Sequence, residues 1–371
     1  MQEQFLKIRL QNRTFLYIIE MHTPSERIVN MDKLITFAIP CYNSGAFMHH
    51  CIESLLGAGD DIEIIIVNDG SADNTGAVAD AYAEKYPDIV RVIHQENGGH
   101  GEGVNQGMRN ARGMYYKVVD SDDRLDRDAL EQFLGRLREM VRAGQDADMY
   151  VCNYVYVRID TGNRRTMSYR HIFPQEQLCT WEDTKPFGPS QYLMMHSVVY
   201  RTALLREHSI TLPKHTFYVD NLYMYEPFPY VKRIYYMDLD LYLYYVGSDE
   251  QSVSEKNMIK RIDQQIKVAK LMIQCHDLNQ IKLQSRRLYR YMLHELAMMI
   301  NICCVFLLIG NTPENIEKQK ALWRFLREQD IHTYRKLKYS SLSAFMNLPG
   351  KLGRKTTVGM YRLVHKIYKF N

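Results

Sequence analysis

From Leu34 to about Tyr156, short apolar runs alternate with longer stretches of helical spacing. Leu34–Ile39, Ile62–Val67, Ile89–Ile93, Tyr115–Val119 and Met149–Val155 are too short for helices and mostly rich in β-branched residues, so the pattern predicts five strands. Between them Ala46–Leu56, Thr75–Tyr86, Gly103–Arg112 and Asp126–Val141 read as helices, with Asn74 and Asp126 placed as N-caps. Strand–helix alternation of this length predicts an α/β fold with a mostly parallel central sheet and helices on both faces. Ligands of such sheets sit outside the carboxyl ends of the strands, which directs attention to the residues just after each strand. Residues 157–250 are less regular and mix Gly and Pro with aromatic strands such as Leu241–Val246. From Ser254 onward the pattern is almost wholly helical.

Composition narrows the class. Of 371 residues, 46% are hydrophobic and 24% charged, which excludes a disordered chain, a collagen-like fibre and a polytopic membrane protein. The net charge of +4 conceals an asymmetry: Ile331–Asn371 holds nine Lys/Arg and no Asp or Glu, while the rest is mildly acidic. A basic block of this kind suits an anionic surface. The seven cysteines form no C-x-x-C pair, so neither a zinc finger nor a disulfide framework is expected, and reduced thiols in a cytoplasmic protein fit better. The longest apolar run, Leu296–Ile309, is shorter than the roughly 20 residues a bilayer demands and reads as a buried core helix. Met31 opens MDKLITFAIP, which reads as a chain start entering a strand, leaving residues 1–30 as either an upstream extension or part of the natural chain.

The strand ends carry the chemistry. After the first comes Pro40-Cys41-Tyr42-Asn43-Ser44, where Tyr42 can stack on a planar base and Asn43 offers an amide. The second is followed by Asn68-Asp69-Gly70-Ser71, either a carboxylate for a nucleoside or a simple Asp-Gly turn into a helix. After the third lie Asn97, Gly98, Gly99 and His100 in a loop with five glycines, which allows close backbone approach to a phosphate but lacks the Gly-Lys-Ser/Thr of a P-loop. The fourth ends in Asp120-Ser121-Asp122-Asp123. Three carboxylates in four residues repel one another, a cost that a bound cation removes; oxygen ligands suit Mg²⁺ or Mn²⁺.

Together, IPCYNS, VNDGSADNT, the ENGG–NQG loop and VVDSDD, over about residues 34–130, resemble the family 2 glycosyltransferases. That resemblance implies the nucleotide-diphospho-sugar transferase (GT-A) fold, with a GT-A domain at 31–255, its nucleotide-binding part at 34–130 and acceptor part at 131–255. A helical region at 256–330 and a basic amphipathic tail at 331–371 follow. It also implies that Pro40, Tyr42 and Asp69 hold the base, with Asn43, Gly70, Asn97, Gly98, Gly99, His100, Asn105 and Ser121 around the nucleotide. Asp120 would touch the ribose, while Asp122, with Asp123, would hold the metal. The family's carboxylate base maps onto Asp220, in Tyr218-Val219-Asp220-Asn221; the alternative is a plain helix cap. Ser248–Ser254 resembles the serine-containing loop that closes over the diphosphate. One departure stands out: where the family commonly has Ala-Arg-Asn, this chain has Gly103-Val104-Asn105 and lacks the arginine, for which His100 could substitute.

The resemblance implies an inverting transfer from a UDP-linked donor to a saccharide or lipid-linked saccharide acceptor in cell-surface polysaccharide or glycoconjugate synthesis. The alternative is a nucleotide-sugar-binding or scaffolding protein with a decayed site. A sugar nucleotidylyltransferase would need a Gly-rich signature after the first strand, and a nucleic-acid partner would leave the aspartate cluster unexplained. Written as a helix, Thr356–Phe370 sets Met360, Leu363, Val364 and Ile367 opposite Arg362, His365, Lys366 and Lys369. This is the pattern either of an interfacial helix on the inner face of the cell membrane or of a packing helix with a solvated face. Trp181, His196 and His215 are candidates for acceptor or sugar contact, without decisive spacing.

Overall fold

The computed structural model describes residues 6–10, 13–17, 33–188, 191–247, 255–339, 344, 348 and 350–368. Near the start, β1 (Leu6–Leu10) and β2 (Arg13–Tyr17) pair antiparallel. The nucleotide-side strands are β3 (Lys33–Cys41), β4 (Ile62–Asp69), β5 (Val90–Gln95) and β6 (Gly113–Val118). They lie parallel in the order β6-β3-β4-β5. Ile35, Phe37, Ile39, Ile62, Ile64 and Ile66 are fully buried, as expected where helices cover both faces of a parallel sheet. Those helices are α1 (Met48–Leu55), α2 (Thr75–Lys85), α3 (His100–Asn110) and α4 (Arg127–Arg142). Asp126 caps α4 by accepting from the Ala129 N–H, as predicted. Asn74 makes no cap bond; Asp73 takes the Thr75 N–H and hydroxyl instead, because its carboxylate is the stronger acceptor one residue further back.

Beyond β6 the sheet becomes mixed. The remaining strands are β7 (Arg124–Leu125), β8 (Met149–Arg158), β9 (Arg164–Met167), β10 (Leu178–Cys179), β11 (Val198–Arg201) and β12 (Ile234–Val246). β11 runs antiparallel between β6 and β8, and β12 lies parallel to β8. The short helices α5 (Thr202–Glu207) and α6 (Asp220–Tyr225) fall in this half. β12 carries an irregularity: between Met237 opposite Cys152 and Tyr242 opposite Tyr154 it has four residues where β8 has one, three extra. Such extra residues re-aim side chains. Asn153, buried at the irregularity, donates to both Asp238 and Asp240, and the Tyr236 hydroxyl donates to Asn153.

The chain then builds α7 (Glu255–Lys260), α8 (Ile262–Gln274), α9 (Leu278–Gln284), α10 (Arg286–Gly310), α11 (Pro313–Gln329), α12 (Ile331–Lys338) and α13 (Gly350–Tyr368). Ser285 caps α10, Asn311 ends it in the left-handed region, and Thr312-Pro313 starts α11. The predicted run Leu296–Ile309 is thus the second half of a 25-residue helix. Contrary to the length argument, α10 is long and apolar enough to cross a membrane, but 67% of its most apolar window is buried inside the fold. Phe187 stacks on Tyr291 of α10 at 4.0 Å, and the Leu193 N–H donates to the Tyr291 hydroxyl, tying this helix to the mixed half of the sheet.

Candidate active site

At the ends of β3, β4 and β5 the polar side chains are consumed by one another. Asp69 is 3% exposed, and its carboxylate accepts from Gln95 Nε2 (2.6 Å), the Gly98 N–H (2.7 Å) and the Gly99 N–H (2.8 Å). Of about four acceptor positions on a carboxylate, three go to this strand end and its glycine loop. Asn97 donates to the Asp69 carbonyl, and Asn43, with φ 51°, accepts from the Ala72 N–H. Gly70 turns with φ 66° against the Asn97 backbone.

The glycines serve packing rather than an open cradle. A Cβ on Gly99 would lie 3.1 Å from the His215 backbone, one on Gly103 would lie 2.9 Å from Pro40, and one on Gly107 would meet the Tyr116 hydroxyl. Three residues expected at the nucleotide are packed against other groups. Pro40 is buried beneath Gly103. Asn105 is 2% exposed and clamps Leu212 by accepting from its N–H and donating to its carbonyl. Ser121 is buried against the Ser44 hydroxyl at 2.8 Å. Position 104, where the family's arginine would stand, is fully buried, so valine fits its surroundings. Tyr42 remains 57% exposed and free to stack.

The end of β6 is arranged differently. Asp120 accepts from His100 Nε2 at 3.0 Å and faces His196 Nε2 at 3.4 Å. Asp123, buried, accepts from the Tyr242 hydroxyl (2.7 Å) and the Tyr245 N–H (2.8 Å) and lies 3.9 Å from His196 Nε2. One ligand atom each from Asp120, Asp123 and His196 falls within 4.8 Å of the others. Beneath them Lys117, fully buried, donates to the His196 and Val198 carbonyls and holds the turn that carries the imidazole. Burial lowers the Lys117 pKa to about 7. Asp122, expected as a metal ligand, stands exposed beside the cluster; the reduced hydration around it and the Asp120 charge raise its carboxyl to about 6.

The electrostatics separate the carboxyls. Burial alone would raise Asp120, but the His100 and His196 hydrogen bonds and charges hold it well below the ordinary range. Burial and the neighbouring Asp122 and Asp120 charges raise Asp123. Burial alone would lower His100, but its partnership with Asp120 outweighs that and raises it. The residues fit a divalent cation: two carboxylates crowd together, His196 Nε2 faces both, and oxygen ligands suit Mg²⁺ or Mn²⁺.

Asp220 opens α6 as its first helical residue, with Val219 at the cap position, and its carboxylate accepts from the Asn221 side-chain amide at 3.3 Å. Its carboxyl is raised by burial and by Asp120, against the lowering influence of His100 and His196. Its position is set from α3: Asn105 clamps Leu212, and the His215 N–H donates to the Gly98 carbonyl at 2.7 Å. The predicted loop Ser248–Ser254 lies outside the described residues. Spacing alone had no means to assign His196 to this cluster, since it lies 76 residues from Asp120 and reaches it through the β11 turn.

Comparison with known proteins agrees with this geometry. Residues 36–203 match the model of glycosyl transferase family 2, so this region is a domain of that family's type. It is similar to EpsH of Bacillus subtilis, at 33% identity over 48% of this chain and 50% of that one. A second relative is the glycosyltransferase GlyG of Streptococcus pneumoniae, at 38% over 36% of this chain and 43% of that one. The matched part thus spans about half the length of these curated relatives. Among solved structures, the S. aureus TarS fragment 1–349 in complex with UDP-GlcNAc has the same fold, with a TM-score of 0.59 at 19% identity, covering 91% of both chains.

Proposed function

We propose that this chain transfers a sugar, with inversion, from a UDP-linked donor to a saccharide or lipid-linked saccharide acceptor of the cell surface. The observation that carries the reading is the cluster of Asp120, Asp123 and His196 at the end of β6, sharing its electrostatics with Asp220. Tyr42 offers a stacking face for the base, and the UDP-GlcNAc held by TarS supports a UDP donor. Asp120, Asp123 and His196 would hold Mn²⁺ or Mg²⁺, with Asp122 at the rim; when bound, the cation offsets charge on the departing diphosphate. Asp220 takes the proton of the acceptor hydroxyl as its oxygen attacks the anomeric carbon. Its raised pKa brings it nearer to neutrality, where a general base works best. His100, held on Asp120, offers a donor toward the phosphates where the family's arginine is missing.

The basic tail supports a place on the inner face of the membrane: Leu352 and Met360 of α13 are 80% and 43% exposed, beside exposed Lys355 and Arg362. The side chains of Leu363, Val364, Lys366 and Ile367 lie outside the described residues. The test of activity is a nucleotide-sugar panel with Mn²⁺, scoring free nucleoside diphosphate for wild type, Asp120→Asn and Asp220→Asn. Metal-dependent release from one donor, lost in Asp120→Asn, is expected. Silence across the panel together with no binding of UDP would overturn the reading.

A further inference from the structure

The mixed half of the sheet presents a row of tyrosines toward the same site. Before its irregularity, β12 sets Tyr236 opposite Val151; after it, Tyr242 faces Tyr154 and Tyr244 faces Tyr156. Because the extra residues are odd in number, Tyr242 and Tyr244 share a face with Tyr154 and Tyr156, while Leu243 turns to the other face and packs with Val155 and Val157. Tyr154 and Tyr242 are fully buried and form the floor. Tyr156 and Tyr244 are half-buried, with ring centroids 5.5 Å apart. Tyr244 lies 4.3 Å from the His196 ring. The row therefore runs outward from the proposed cation site.

We propose that Tyr156 and Tyr244 form the platform on which the acceptor sugar ring lies while its hydroxyl meets Asp220. This rests on the transferase reading of the site. Three observations carry it. The Tyr244 hydroxyl has no hydrogen-bond partner among the described residues, although the ring is fixed on both sides. No Lys or Arg among the described residues stacks on either ring, whereas Tyr242 and Tyr245 each have one; the surface thus suits a neutral, polyhydroxylated ring with C–H faces rather than a phosphate. And β8 and β12 lie on the far side of β6 from β4 and β5, so the platform and the exposed Tyr42 flank the cation cluster from opposite sides. A donor on Tyr42 leaves the tyrosine side for the acceptor. Tyr244 also feels the Asp220 charge, which puts the platform within the base's surroundings.

The test uses full-length protein loaded with UDP and Mn²⁺, titrated with methyl β-glucoside, β-galactoside, α-mannoside and β-N-acetylglucosaminide, with saturation-transfer NMR as the readout. At least one pyranoside is expected to bind, its affinity falling about 10-fold or more in Tyr244→Ala and Tyr156→Ala, with Tyr244→Phe keeping the stacking and losing a smaller factor. UDP affinity should stay within about 2-fold, and thermal melting of each variant reports whether it folds. Pyranoside binding unchanged in folded Ala variants, or no pyranoside bound by the UDP-loaded wild type, would overturn the platform. An equal loss of UDP–sugar affinity in the Ala variants would reassign the wall to the donor ring and overturn it as well. Failure of the transferase reading is separately visible, as an absence of UDP binding in the first step.

Discussion

The ends of β4 and β5 and the end of β6 hold comparable sets of polar side chains and use them in opposite ways. At β4 and β5 the groups close on neighbours, the buried Gln95 Oε1 excepted: Asp69 on two loop N–H groups and Gln95 Nε2, Asn97 on the Asp69 backbone, Asn105 on Leu212. At β6 the groups are left in tension, with carboxylates facing one another, His196 Nδ1 buried without a partner, and Asp122, Asp123 and Asp220 all raised. What separates the two ends is charge: carboxylates pressed together repel one another, a cost that a bound cation removes. On the proposed reading, the first set is scaffold and the second is reactive.

The sharpest way to break that division is Asp220→Asn. Transfer should fall by about 10²–10⁴-fold, the contribution of a positioned base, while calorimetric titration with UDP stays near wild type; retained transfer removes Asp220 from the mechanism. Next, His196→Ala should weaken Mn²⁺ binding by roughly 10–100-fold, the scale seen when a metal site loses a supporting group, as read by Mn²⁺ paramagnetic resonance. An unchanged Mn²⁺ affinity would take the imidazole out of the cation site. Asp69→Asn tests the scaffold side. Weakening charge-assisted bonds to the Gly98 and Gly99 N–H groups should cost about 1.5–3 kcal/mol of stability, measured by urea denaturation. If UDP affinity collapses while stability holds, Asp69 is a ligand group and the division fails there.

Glu295 sharpens the rule from outside the site. Buried in α10 with Oε1 unpartnered, its carboxyl is pushed up to about 8 by burial, against an ordinary value of 4.5. Folded, it holds its proton across that window while the unfolded chain releases it, so stability should fall as pH rises from 4.5 to about 8, by up to about 1.4 kcal/mol per unit. Glu295→Gln should remove that decline, making the variant more stable than wild type at about pH 8. Full activity in the variant would mark Glu295 as a cost of packing alone; lost activity would extend the reactive set into the helices.

The alternation of β3 to β6 with α1 to α4 was legible because periods of two and near four leave a direct trace in the order of residues, and motif alone singled out Asp120 and Asp220 as candidates. What was not legible depends on which polar atoms find each other. Asp69 and Asn105 have the residue types of ligand groups, and only the fold shows their bonds already made. His196 reaches Asp120 through the packing of β11 beside β6, a long-range pairing with no local signal. The length of α10 was missed because its first half, Arg286–Glu295, is polar at the positions that face solvent.

The extra residues in β12 make that strand behave like a reading frame. Removing one residue between Met237 and Tyr242 would turn Leu243 toward the cation cluster and Tyr242 and Tyr244 away from it, whereas removing two would restore the facing and shorten only the bend. Insertions and deletions at this point are therefore judged by parity before size, and Asn153, gripping Asp238 and Asp240, is the peg that keeps the count.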